Sequence, residues 1–183
     1  MRISLREQVT AAIFAAIIAV LSQFTLTLPI TVVPFTLQTF IIGLTVTILG
    51  TRAGTWAIAI YLLLGLIGMP VFAGGASGLQ ALLGPTGGFL LGFLFNGLAT
   101  GWLLEKLGRN YPGAIIANLV GAAIVLFFGA LWLQISTGIS FSAALQSAVI
   151  PFLVPGVIKA VAAAIIGLLI TKRLPEKFLT PAK

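Results

Sequence analysis

Six long apolar stretches, at roughly 8–28, 36–50, 54–71, 87–104, 113–135 and 145–171, follow one another through this chain with only short gaps between them. Runs of this length predict helices that cross a bilayer: a span takes about 20 apolar residues, and lipid offers the backbone no hydrogen bonds outside helices and closed barrels. The runs lack the alternate-residue pattern of barrel strands. With 60% hydrophobic and 7% charged residues, against about a quarter charged in soluble domains, little chain is left for a water-soluble domain. The expected fold is all-α, a polytopic bundle of six transmembrane helices forming a single membrane-embedded domain over residues 1–183.

The charges predict its orientation. Arg2 and Arg6 precede the first stretch, Arg52 lies between the second and third, Lys106 and Arg109 between the fourth and fifth, and Lys172, Arg173, Lys177 and Lys183 follow the sixth. The alternate gaps carry no cation, which predicts cytoplasmic N- and C-termini. Arg2 and Arg6 before an apolar run also resemble a signal peptide, but the run continues to about Leu28 with no A-x-A pattern after it, so it is read as the first span. Trp56, Trp102 and Trp132 fall near helix ends, as interface anchors do. A net charge of +7 without aromatic-basic interleaving gives no nucleic-acid signature.

What the chain lacks narrows its chemistry. It has no cysteine or histidine, only three acids, and no G-x-x-x-x-G-K-[ST] phosphate loop. Metal sites of the usual kind, nucleophilic triads, paired-carboxylate catalysis and ATP hydrolysis by a phosphate loop all lose their residues. No catalytic residue, metal or cofactor is expected, and transport would draw its energy from outside the chain or run passively.

Lys159 is the one ionisable residue that does not fall at a predicted helix end. At helical rise it stands roughly 20 Å from the interface marked by Lys172 and about 10 Å from the other. A charge at such depth costs several kcal/mol unless it faces a cavity, partner or ligand. Pro151 and Pro155, just ahead of it, remove backbone donors and predict a broken helix of the kind that lines a site. With no acid in any span, its partner is an anionic ligand, backbone carbonyls or water; snorkelling to the outer interface is the competing reading.

The connection from Met69 to Phe89, MPVFAGGASGLQALLGPTGGF, lies on the same outer side. Its apolar character and Gly74, Gly75, Gly78, Gly87 and Gly88 suit a lid folded onto the bundle, stiffened by Pro85, rather than a passive turn. Gln38, Gln80, Thr86, Asn96, Asn118, Gln134 and Gln146 are each a ligand contact or a hydrogen bond between helices. Gln38, Gln80 and Gln146 lie toward the outer side, and Asn118 is expected to be structural. Phe35, Phe72, Phe89 and Phe152 are candidates for an apolar wall. Ala11, Ala15 and Ala19, with Ala12 and Ala16 beside them, form small-residue rows that admit a close helix neighbour, inside the bundle or on another subunit.

The segments LLLGLIGMPVFAGGASGLQALLGPTGGFLLGF (62–93), VPFTLQTF (33–40) and PFLVPGVIKA (151–160) resemble the BioY family, the biotin-specific S components of energy-coupling factor (ECF) transporters. The resemblance implies six membrane helices in a bacterial plasma membrane, with the vitamin held near the outer surface under loops 1–2 and 3–4. It implies partners as well: a transmembrane coupling subunit, docked on Ala11, Ala15 and Ala19, and two ATPase subunits. Lys159 matches the family's ligand-contacting lysine, and the candidate ligand contacts are Lys159, Gln38, Phe35, Phe72, Gly74, Gly75, Gln80, Pro85, Thr86 and Gly156. The chain departs from the family where an aspartate acts as acceptor for the ureido N–H groups: Gly156 or Val157 stands there. Ala76 stands where some members carry an arginine. Losing the acceptor costs about 1–3 kcal/mol unless a backbone carbonyl, Gln38 or Gln80 replaces it. The expected function is biotin uptake with an ECF module; the alternatives are a self-contained small vitamin transporter and an S component for another vitamin.

Overall fold

The structure, a computed structural model, describes residues 4–26, 31 and 33–174. Arg2, Leu28, Lys177 and Lys183 lie outside these residues. The first helix, α1 (Leu5–Leu21), starts at a capping box: the Ser4 hydroxyl accepts the Glu7 N–H, and the Glu7 carboxylate accepts the Ser4 N–H at 2.8 Å. Such reciprocal bonds satisfy donors that the first helical turn leaves open. Ala11, Ala15 and Ile18 are buried as α1 packs on α2 (Gln38–Leu66).

Helix α2 covers both the second and the third apolar stretch, and Gly50 divides them. Gly50 has φ +78° and ψ −177°, a conformation that glycine adopts without steric cost. The Val46 backbone comes against Gly54; an uninterrupted helix would hold these residues about 12 Å apart. The chain therefore doubles back at Gly50 as a helical hairpin. Arg109 follows α4 (Gly87–Leu107) in the short turn to α5 (Tyr111–Thr137) and donates to the Ile48 carbonyl at 3.3 Å. Burial lowers the pKa of this guanidinium, and nearby Glu105 acts in the opposite sense. Thr51 donates to Glu105 at 2.5 Å, and the Lys172 ammonium lies 4.8 Å from the centre of the Tyr111 ring. Arg6 and Leu174 border one groove with Leu49. The cationic gaps, distant in sequence, thus meet at one end of the bundle.

The other end is tied by uncharged bonds. Thr25–Leu26 (β1) and Phe35–Thr36 (β2) form a two-residue antiparallel ribbon, with Thr25 opposite Thr36. The connection after α2 contains a 3₁₀ turn, Ala73–Gly75, and a short helix, α3 (Gly78–Leu83). Its Pro70 carbonyl accepts from Gln23 at 3.0 Å, and its Gly84 carbonyl accepts from the Trp132 indole at 2.9 Å. Val71 and Phe72 are buried, so this connection folds onto the bundle. The last apolar stretch is split: α6 (Phe141–Ala148) and α7 (Leu153–Arg173) flank a 3₁₀ turn at Ile150–Phe152 that contains Pro151.

Between the ends, Tyr61, Ile41, Ile42, Ile58 and Leu133 are among the fully buried core side chains. Asn118 donates to Thr47 and to the Ala114 carbonyl, both at 2.9 Å, and Thr100 donates to Asn96 at 2.9 Å and the Ala117 carbonyl at 3.2 Å. Asn118 thus joins α5 to α2 and Thr100 joins α4 to α5, while Asn96 bonds within α4. Among the described residues, four segments are long and apolar enough to cross a membrane: Gln38–Leu66, Gly87–Leu107, Tyr111–Thr137 and Phe141–Arg173.

Candidate functional site

The end opposite the cationic gaps holds a partly open cavity of about 80 Å³. Its walls come from the segment leading into α2, the connection 69–86, the start of α4, the middle of α5 and the turn into α7. Phe72, Phe89, Phe93, Phe152 and Leu126 make it predominantly apolar. Phe152 stacks on Phe35 at 4.4 Å between ring centres, which fixes the turn ahead of α7 against β2.

The polar groups gather along one wall. Lys159, half-buried, donates from Nζ to the Thr36 carbonyl at 3.1 Å. The Thr36 hydroxyl donates to Gln38 Oε1 at 3.1 Å, and Gln38 Nε2 donates to the Tyr61 hydroxyl oxygen at 2.7 Å. No described carboxylate neutralises Lys159: Glu7 bonds Ser4, Glu105 bonds Thr51, and Glu176 lies outside the described residues. A cation bordering an enclosed apolar space, with one carbonyl as its partner, leaves the wall electrostatically unbalanced and suited to an anionic or acceptor-rich ligand.

Of the residues singled out in the sequence, Lys159, Gln38, Phe72, Thr86 and Gly156 line this cavity together, as do Phe89 and Phe152. Phe35 stands behind Phe152 and borders a shallower neighbouring groove that shares Thr36 and Lys159. Gly74, Gln80 and Pro85 are exposed and Gly75 is half-buried; none of the four lines the cavity. The glycines shape the 3₁₀ turn that carries Phe72, and Gln80 does not take the place of an acceptor there. Gly156 borders the cavity, and a side chain built on it would meet nothing within 4 Å. Val157 is exposed and off the cavity. Sequence reasoning missed Thr36, Thr39, Ala73, Ala81 and Ala122. Thr36 and Thr39 flank Gln38 within the VPFTLQTF segment, a usable signal, whereas a lone alanine carries none.

The alanine rows divide between two faces of α1. Ala11 and Ala15 are 1% and 0% exposed and face the bundle, and Ala19 is half-buried against the core. In this chain they pack α1 onto the bundle. Ala12 and Ala16 are exposed on the outward side of α1.

A helical bundle with an apolar cavity at one end, closed by a folded connection and bearing a single cation in its wall, is the build of a small-molecule-binding membrane protein. The chain belongs to the BioY family, whose family model matches residues 1–176. It is 47% identical to the biotin transporter BioY2 of Lactococcus lactis subsp. cremoris (strain MG1363), over 89% of this chain and 88% of that protein. It is 36% identical to the biotin transporter BioY of Thermotoga maritima, over 94% of this chain and 100% of the relative. A crystal structure of the S-component for biotin from an ECF-type ABC transporter superposes with a TM-score of 0.85 at 31% identity, covering 93% of this chain and 95% of that one. The family and these relatives are transporters, not enzymes.

Proposed function

We infer that this chain binds biotin in the cavity beside Lys159 and serves as the S component of an ECF-type biotin transporter. The observation that carries the reading is the coincidence of two findings: near full-length likeness to biotin transporters and a biotin S component, and an apolar cavity with one cation in its wall. In this reading Lys159 meets the carboxylate of the ligand, its only formal charge. Gln38 Oε1 accepts a ureido N–H in place of the missing aspartate. Phe72, Phe89 and Phe152 enclose the apolar part, and the 69–86 connection covers the site.

The same reading makes the chain one membrane domain crossing six times: α1, the two limbs of α2, α4, α5 and α7. The meeting of the cationic gaps at one end supports a cytoplasmic face there, with the cavity toward the outside of a bacterial plasma membrane. Without a phosphate loop, transport draws its energy from a coupling subunit and two ATPases, and the outward row of α1, with Ala12 and Ala16, is where the coupling subunit docks.

Uptake of labelled biotin by cells carrying this chain with and without the ECF module tests the assignment. Accumulation that needs both supports an S component. Accumulation undiminished without the module points to a self-contained transporter, and none in either strain removes biotin as the substrate.

A further inference from the structure

Tyr61 does not line the cavity and is fully buried, yet its hydroxyl holds a group that does. It lies on the return limb of α2 and accepts the Gln38 Nε2–H at 2.7 Å. The Thr36 hydroxyl already accepts the Gln38 backbone N–H at 3.2 Å, which leaves its own proton for Gln38 Oε1 at 3.1 Å. In this arrangement the amide nitrogen faces Tyr61 and the oxygen faces Thr36 on the cavity wall. A carboxamide presents a donor on one side and an acceptor on the other, so its orientation decides which kind of group the wall receives.

Tyr61 also packs against the cavity wall. The Phe72 ring, which lines the cavity, stands edge-on to it at 5.6 Å. The fully buried Ser22 hydroxyl has no hydrogen-bond partner and lies near the phenol.

We propose that Tyr61 is a positioning residue that locks the Gln38 carboxamide with its oxygen toward the ligand, making the site selective for ligands that present N–H donors of the urea type. This rests on the biotin reading and assigns to an amide–phenol pair the acceptor function that a carboxylate at position 156 would supply.

The test is equilibrium binding of biotin to the purified full-length chain as wild type, Tyr61→Phe, Gln38→Ala and the double variant, with thermal melting of each. Tyr61→Phe is expected to lower affinity about tenfold, the weight of one buried hydrogen bond, and to lower the melting temperature by a few degrees while the chain stays folded. In the Gln38→Ala background the same substitution is expected to change affinity less than about threefold, because no amide remains to be oriented. Unchanged affinity in Tyr61→Phe, or an equal loss with and without Gln38, overturns the proposal while leaving biotin binding intact. Absence of biotin binding by folded wild type overturns the biotin reading itself.

Discussion

Gly156 stands one helical turn before Lys159 on α7, and both border the cavity. Residues three apart on a helix share a face, so a carboxylate at position 156 would project into the same space as the ammonium. Gly156 leaves that space open. Gly156→Asp is therefore expected to fold and to tighten biotin binding, since an ionised acceptor bonds an N–H more strongly than a neutral one, by about 1–2 kcal/mol. Titration calorimetry on the two proteins checks this, and weaker binding by a folded variant would contradict it.

Lys159→Ala removes the only cation of the wall without stranding a carboxylate, because the Lys159 ammonium bonds a backbone carbonyl. The variant is expected to keep its melting temperature and to lose roughly 10–100-fold in affinity, the range of a charge-assisted hydrogen bond. Binding competition with labelled biotin reads the loss.

The Gly65 backbone lies against the Phe72 ring so closely that a Cβ there would overlap it. Gly65→Ala is expected to force Phe72 toward the cavity, costing about 1–3 kcal/mol of stability and weakening binding. Adding Phe72→Leu to Gly65→Ala makes room and should recover part of the stability, which thermal melting of the single and double variants measures.

The two faces of α1 separate packing from docking. Ala15→Trp places an indole where no space exists and is expected to destabilise the chain by about 3 kcal/mol or more. Ala16→Trp, on the exposed side, is expected to spare biotin binding and to impair uptake in cells that carry the ECF module. Melting, binding and uptake compared on both variants provide the check.

The apolar stretches announced most of the architecture because lipid leaves the backbone little choice, and the segregated cations announced which gaps share an end. The hairpin at Gly50 was legible only as two adjoining stretches. One glycine with positive φ makes the reversal, and nothing in its neighbours distinguishes it from the chain's other glycines. Lys159, Gln38, Phe72, Thr86 and Gly156 were legible as residues that line the cavity because a polar or aromatic group, or a gap in a family pattern, stands out against apolar helices. Tyr61 was not: a tyrosine in a helix reads as packing or as an interface residue, and its bond to Gln38 depends on the reversal at Gly50. Helical spacing proposed the alanine rows but could not say which row faces α2, since both occupy the same small-residue helix.

The most direct test of biotin as the ligand is equilibrium binding of biotin to the detergent-purified chain, with riboflavin and thiamine as competitors. Tight binding that neither competitor displaces is the predicted result. No biotin binding by a well-folded sample, or displacement by either of the other vitamins, would contradict it.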